Sequence, residues 1–309
     1  MVARTDVVDK LGRLIILSAE AIELTREGKR TKEQTDQLLL ALQEYKEIGN
    51  DLLQTILNRE RQAHKNFYGQ EFDISKFEKT LKKYGREKIK EWQKLGLEPH
   101  FPFPKGIKIT KDSKFPGWKI KPKNWYFEQI AKGNILIDID GNLEPINVNS
   151  ENIIEFLEDT IVLIDTRLKP NYQDGRQIWK NDNLLGLIIE KLRKEKKIAE
   201  YEYGKQSSRF GASADEWEKE IKPALVERLG LQVRLETALE ANIIPQMYCY
   251  MPREDDGNTN TWCWHEEYFE DRGGRLNGGN SDNGGLAGVG YGSVGDRWNN
   301  RSVRPLEVL

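Results

Sequence analysis

The apolar positions in the first part of the chain fall at helical spacing. Between residues 7 and 26, Val8, Leu11, Leu14, Ile15, Ala19 and Ile22 recur every three or four residues and mark one face of a helix. Gly28, Lys29 and Arg30 end it. Thr31 with Gln34 fits a capping box and opens a second helix, whose Leu38, Leu42, Tyr45, Leu52 and Ile56 form a heptad-like seam with a gap at Gly49. Two such stripes predict an α-helical hairpin or coiled-coil region. Neither helix can fold alone, so the pair needs a partner surface, either the rest of the chain or another subunit of a homo-oligomer. Ser75 with Glu78 predicts a further helix over 76–95, with Gly96 at its C′ position. The paired prolines of His100-Phe-Pro-Phe-Pro break the helical pattern. A domain boundary is therefore expected between Leu95 and Phe101, dividing a helical region, 1–95, from a second domain, 96–309.

The pattern beyond Gly106 changes to short, irregularly mixed elements. Strands are expected at 107–109, 135–139, 160–165 (Thr-Ile-Val-Leu-Ile-Asp), 198–203 and 243–250. Short helices are expected at 125–131, 150–157 and 183–197. Ser213 with Glu216 is another capping box, opening a helix through Trp217, Ile221, Leu225 and Leu229 to Gly230, and 233–240 can start one more. This is an α+β signature and not a βαβ repeat. Near the end, Trp262 to Phe269 and Arg304 to Leu309 read as strands. They enclose a run from Gly273 to Gly295 that is almost all Gly, Asn, Ser and Asp. Such a run is ordinarily a linker or tail. Here it is framed on both sides by core-like strands.

Charge narrows the choice of function. The 309 residues carry 48 basic and 50 acidic side chains, a net charge of −2, so no global field points to nucleic acid. The lysine-rich stretches 105–123 and 191–197, with Phe115, Trp118 and Trp125, are the feature that favours single strands, and a solvated face accounts for them as well. The opening Met-Val-Ala-Arg-Thr-Asp has no signal-peptide h-region, and no apolar run reaches the roughly 18 residues of a membrane span. The expected location is cytoplasmic, with a virion or another display route as the alternative. Cys249 and Cys263 can bridge, but free core cysteines are the expectation. His64, His100 and His265 have no metal-ligand spacing. Asp138 to Glu144 resembles part of a calcium loop but lacks its full spacing, so a polar turn is expected there. No metal or cofactor is expected. Cys263 and His265, two apart on a strand, share a face and can form a thiolate–imidazole couple, although plain alternation explains the spacing equally.

The terminal segment carries a family resemblance. Asn260-Thr-Trp-Cys-Trp, Gly274-Arg-Leu, Gly278-Gly-Asn-Ser, Gly284-Gly-Leu-Ala and Arg304-Pro-Leu-Glu-Val-Leu resemble the end of the C-type lectin fold in its formylglycine-generating-enzyme-like branch. Ser302-Val303 stands where that branch carries Gly-Phe before Arg-Pro. More narrowly, the segment is similar to the hypervariable region of variable proteins diversified by diversity-generating retroelements. The resemblance is densest over 260–309 and extends upstream through Asp112-Ser-Lys-Phe-Pro-Gly-Trp and Ser207-Ser-Arg-Phe-Gly.

The resemblance implies ligand binding and no catalysis. It implies a fixed scaffold that includes Gly278, Gly279, Leu286, Val289, Tyr291 and Arg304. Interleaved variable positions would be Asn277, Asn280, Asp282, Asn283, Gly288, Gly290, Gly292, Ser293, Val294, Gly295, Trp298, Asn299, Asn300, Arg301 and Ser302. The ligand would be a protein or another surface, with Trp298 and Tyr291 as aromatic anchors. The cysteine pair that the formylglycine enzymes use is not in its motif here, and the calcium-binding triplets of sugar-binding lectins are absent. Two other readings stay open: an enzyme of this fold using Cys263 with His265 or Cys249, and a nucleic-acid-binding protein using the lysine–aromatic stretches.

Overall fold

The computed structural model describes residues 52–146, 154–165, 182–248, 261–280 and 285–309. The expected helix over 7–26, most of the second helix and the hairpin they were to form lie outside these residues, as do Cys249, Asp282 and Asn283. Contacts divide the chain into Met1–Arg59 and Glu60–Leu309. Helix α1 is Leu52–Tyr68. In the first unit, Gln54 Nε2 donates to Asn58 Oδ1 at 2.8 Å, one helical turn on.

The second unit mixes helices with antiparallel sheets. Helix α2 (Ser75–Lys94) turns Phe77, Leu81, Ile89 and Trp92 inward. Its start differs from the expected capping box. Ser75 donates its N–H and hydroxyl to Asp73 Oδ1, so the aspartate supplies the local acceptor and Ser75 is already the first helical residue. Gly96 takes the left-handed φ of 79° that the C′ position requires. The ring of Phe77 stacks on Phe101 of strand β1 (Leu97–Phe103). The expected boundary between Leu95 and Phe101 thus falls within one packed body, and the division by contacts comes earlier, after Arg59.

A four-stranded antiparallel sheet runs β1–β6–β12–β7, with β6 at Thr160–Asp165, β12 at Pro305–Val308 and β7 at Gln232–Leu235. The expected strand 160–165 is found with those bounds. Five of its six residues are buried, as a continuous apolar run in a central strand should be. The terminal strand lies between β6 and β7, so the end of the chain is tied into the middle of this sheet. A second sheet runs β10–β9–β8–β3–β4, with short β11 pairing in parallel with β8. Its strands are β3 (Ile135–Ile139), β4 (Asn142–Pro145), β8 (Trp262–Phe269), β9 (Asp271–Gly279), β10 (Val289–Ser293) and β11 (Arg301–Ser302). The Asp138–Glu144 segment is the tight turn of the β3–β4 hairpin. Asp140 and Gly141 both take positive φ, and Asp138 Oδ1 accepts from Gly141 N.

Four expected elements differ. The helix expected over 233–240 is at its start strand β7, and a helix begins only at Ala238. The 150–157 helix contains, in its described part, the two-residue strand β5 (Ile154–Glu155), paired with β2 (Lys108–Ile109). The expected strand 198–203 is irregular. Ala199 N donates to Glu216 Oε1 and Tyr201 N to Gln206 Oε1, so side chains satisfy the backbone where a neighbouring strand was expected. The expected strand 243–250 is, through Met247, the end of a helix. Helix α3 is Asn124–Ala131, α4 is Leu185–Lys194, α5 is Ala214–Glu216, α6 is Lys222–Leu229 and α7 is Ala238–Met247. In α7 Thr237 caps with Glu240 in a reciprocal box, and nearly every residue is buried. A helix buried nearly all round carries no clear 3.6-residue stripe, so its Ile243-Ile244 run, followed by Tyr248, reads as a strand. A π turn, Trp217–Ile221, joins α5 to α6 and buries both its end residues. Among the described residues no helix is long and apolar enough to cross a membrane.

Candidate ligand-binding face

The glycine-rich run folds as a hairpin edge followed by a clamped loop. Strand β10 pairs with β9 from Val289 opposite Gly278 to Ser293 opposite Gly274. Alternation along β10 sorts its residues. Val289 packs against the core, and Tyr291 lies on Phe269 with ring centres 4.1 Å apart, while Trp125 stacks 6.0 Å away. Tyr291 was expected as a scaffold anchor. It does anchor through one face, yet remains 56% exposed. Gly290 and Gly292 lie between these positions. A Cβ at Gly290 would meet only Asn277 Oδ1, at 3.9 Å. At Gly292 it would stand 2.9 Å from Arg301 Nη1 and 3.2 Å from Asp296 Oδ2. Gly278 has no room at all, because its missing Cβ space is filled by the His265 ring and the Gly288 carbonyl.

The loop from Val294 to Asn300 has almost no core side chains, and its backbone is held from several directions. Val294 N donates to Gly273 O, and Val294 O accepts from Asp215 N at the start of α5. Asn299 O accepts from the Tyr201 hydroxyl at 2.8 Å, and Asn300 O accepts from Trp262 N at 2.8 Å. Ser293 and Asp296 bond each other reciprocally. Arg297 Nε donates to Glu216 Oε1 at 3.0 Å. The same carboxylate closes the capping box with Ser213 and accepts from Ala199 N. Thus one glutamate joins a helix start, an irregular segment and this loop. Tyr201, Asp215 and Glu216 were not among the expected site residues. The Ser213–Glu216 spacing was the available signal, and it announced only a helix start.

Burial separates the expected variable positions. Asn280, Ser293, Gly295 and Trp298 are exposed, and Gly290, Gly292, Val294, Asn299 and Asn300 are partly so. Asn280 takes a left-handed φ of 46°. Asn277, Gly288, Arg301 and Ser302 are buried and present no free surface. Ser302 Oγ lies 3.1 Å from Cys263 Sγ and donates to Trp262 O. Arg301 is sandwiched between Trp264 and Trp298, its guanidinium carbon 4.1 and 4.2 Å from the two ring centres. Its Nε and Nη1 have no hydrogen-bond partner, and Asp296 Oδ2 stands 3.9 Å from Nη1. Burial pulls Arg301 down to about 10, with Asp296 opposing. The other buried arginines of this body are clamps. Arg275 donates to His265 O and Glu218, Arg209 to Asp165 and Asp182, and Arg304 to Glu236 and Asp165 O. Of the remaining scaffold positions, Gly279 and Leu286 are buried.

The alternative chemistries find little geometry. Cys263 is an unbridged, wholly buried thiol turned to Ser302, while His265 Nδ1 pairs with Glu236 O at 3.2 Å, so each has its own partner. Trp118 is buried with its indole N–H on Asn242, and Lys121 Nζ is taken up by the carbonyls of Lys111 and Ser113. Trp118 is therefore not free to stack on a base, while Phe115 and Trp125 are partly exposed. Among the described residues no group of three or more His, Cys, Asp or Glu side chains could hold a metal ion. No protein family, no curated protein and no solved structure matches this chain.

Proposed function

We propose that the face built from Asn280, β10 and the loop to Asn300 is a protein-binding surface of a C-type-lectin-like domain, with its displayed positions diversified by a retroelement. The observation that carries this reading is the division between backbone and side chains. The loop is fixed by main-chain bonds to Gly273, Asp215, Tyr201 and Trp262. Side chains at 290, 293, 294, 295, 298, 299 and 300 can therefore change without altering what holds them. Gly290 and Gly295 have open space around a missing Cβ, as displayed positions need. Buried Asn277, Gly288, Arg301 and Ser302 join the scaffold in this reading. So does Gly292, where Arg301 and Asp296 occupy the space. Small displayed residues leave Trp298 and Tyr291 as the anchors of this copy. The N-terminal helical region, 1–95, would then assemble copies and raise the avidity of weak single sites.

The DNA around the coding region tests the reading. The expected result is a near-identical repeat beside a reverse transcriptase gene, with adenines aligned to the codons of the displayed positions and not to those of Gly278, Leu286 or Arg304. A locus without repeat or reverse transcriptase removes the diversification. A repeat whose adenines align with the buried positions as often as with the displayed ones removes the assignment of the face.

A further inference from the structure

Strand β10 is the last strand of its sheet, so one side of its main chain has no neighbouring strand. The register decides which groups lie on that side. Gly279 N donates to Gly288 O and Val294 N to Gly273 O, both at 3.0 Å, so residues 288, 290, 292 and 294 turn their N–H and C=O toward β9. Residues 287, 289, 291 and 293 turn theirs outward. The two ends of this outward row are occupied. Ala287 O accepts from Lys123 N at 3.1 Å. Ser293 N donates to Asp296 Oδ2 at 3.2 Å, and Ser293 O accepts from Asp296 N at 3.0 Å. Between these ends the N–H and C=O of Val289 and Tyr291 meet no partner among the described residues. The opposite edge of the sheet, β4, carries Glu144 and Pro145, which discourage pairing. The Val-Gly-Tyr-Gly-Ser of β10 has neither charge nor proline.

An extended backbone is the chemical complement of such a row. We propose that the edge at Val289 and Tyr291 takes a peptide segment of the partner protein as an added antiparallel strand, with apolar side chains opposite those two residues and an acidic residue after them. The inference rests on the reading of β10 as part of a protein-binding face and says how that face engages. Antiparallel pairing lets Val289 and Tyr291 each exchange both bonds with the residue opposite. Residues directly opposite share a face of the sheet, so the two apolar side chains lie beside Val289 and the half-exposed Tyr291 ring, which Trp125 extends. In this sense the segment leaves past Ala287, where Lys123 is exposed and has no ion pair among the described residues. An acidic residue there complements the lysine. A second copy of β10 fits less well, because pairing centred on Gly290 puts its Ser293–Asp296 turn where Lys123 already lies. Main-chain bonds are indifferent to side chains, so this contact would persist whatever the displayed positions carry.

The peptide acetyl-Ser-Val-Thr-Val-Glu-amide and the same peptide N-methylated at both valines make the test, because their side chains are equal and only the main-chain donors differ. Each would be titrated into the isotope-labelled full chain and followed by amide chemical shifts. The unmethylated peptide is expected to shift the Val289 and Tyr291 amides and to bind at least about tenfold more tightly than the methylated one. Lys123→Glu, a change at an exposed residue, should weaken it about threefold. Equal binding of the two peptides, or no shift at Val289 and Tyr291 at millimolar concentration, would overturn strand addition. Indifference to Lys123→Glu would overturn its antiparallel sense. Shifts confined to 293–300 and unaffected by methylation would also overturn strand addition while leaving the binding face in place, and the coding locus tests that face separately.

Discussion

The guanidinium carbon of Arg301 lies 4.2 Å from the centre of the Trp298 indole, with the Trp264 indole on its other side. A half-exposed aromatic of the proposed binding face thus roofs a buried cation whose Nε and Nη1 donate to nothing. Arg304, three residues on, is the contrast: it is bonded to Glu236 and to the Asp165 carbonyl. Replacing a buried charge that lacks acceptors by an apolar residue of similar length costs little, whereas breaking a buried pair leaves its partner charge uncompensated. Arg301→Met should therefore change unfolding stability by no more than about 1 kcal/mol, the lost cation–π contact being offset by the relieved desolvation. Arg304→Met should cost about 3–5 kcal/mol. Urea denaturation of the two variants makes the comparison, and equal losses would show that Arg301 has an acceptor in solution.

Gly278 and Gly290 lie on adjacent strands of one hairpin but have opposite surroundings. A methyl group at Gly278 collides with the His265 ring and the Gly288 carbonyl, while at Gly290 it finds ordinary contact distance. Gly278→Ala should destabilise by about 1–3 kcal/mol through overpacking. Gly290→Ser should stay within about 0.5 kcal/mol of the parent, as surface changes do. Thermal denaturation of both variants reads this directly. A large loss at Gly290 would count against its role as a displayed position.

The Glu267 carboxyl is pushed up to about 8 by burial, from an ordinary value near 4.5. Between those values the folded protein holds a proton that the unfolded chain has released. The stabilising proton is thus fully present below about 4.5 and is lost as pH rises toward 8. The stability of the parent, measured against Glu267→Gln, should fall steadily as pH rises from 5 to 8 and then level off. Taking the difference between the two proteins cancels the carboxylates they share. A flat difference across that range would mean that Glu267 is ionised in the folded state.

Glu216 unites three segments through Ser213, Ala199 and Arg297. Glu216→Ala removes the acceptor for all of them and should cost about 1–3 kcal/mol. The more telling readout is hydrogen exchange. Amides of 294–301 should exchange faster while those of the central strand β6 follow global stability alone. Unchanged protection in the loop would mean that its main-chain bonds to Asp215 and Trp262 suffice.

The readable parts of the fold share one property: their signals are local. The continuous apolar run Thr160–Asp165, the Ser213–Glu216 box with Gly230 closing the helix, and the Asp140–Gly141 turn each follow from a few adjacent residues. The misread parts depend on partners distant in sequence. Helix α7 is buried at nearly every residue, so its apolar run has no clear stripe, and the 198–203 segment is satisfied by Glu216 and Gln206 side chains.

The terminal segment divides in the same way. By itself the sequence determined that a side-chain-poor run stands between two strands, because Trp262 to Phe269 and the last residues carry their own strand patterns. Which of its polar residues face solvent was decided by tertiary structure alone. Arg301 and Asn300 are both polar and adjacent, yet the charged one is closed between indoles from β8 and the loop and the neutral one is partly exposed. The physical reason is that burial of a polar side chain depends on what packs over it, and those partners are brought together only when the sheet closes.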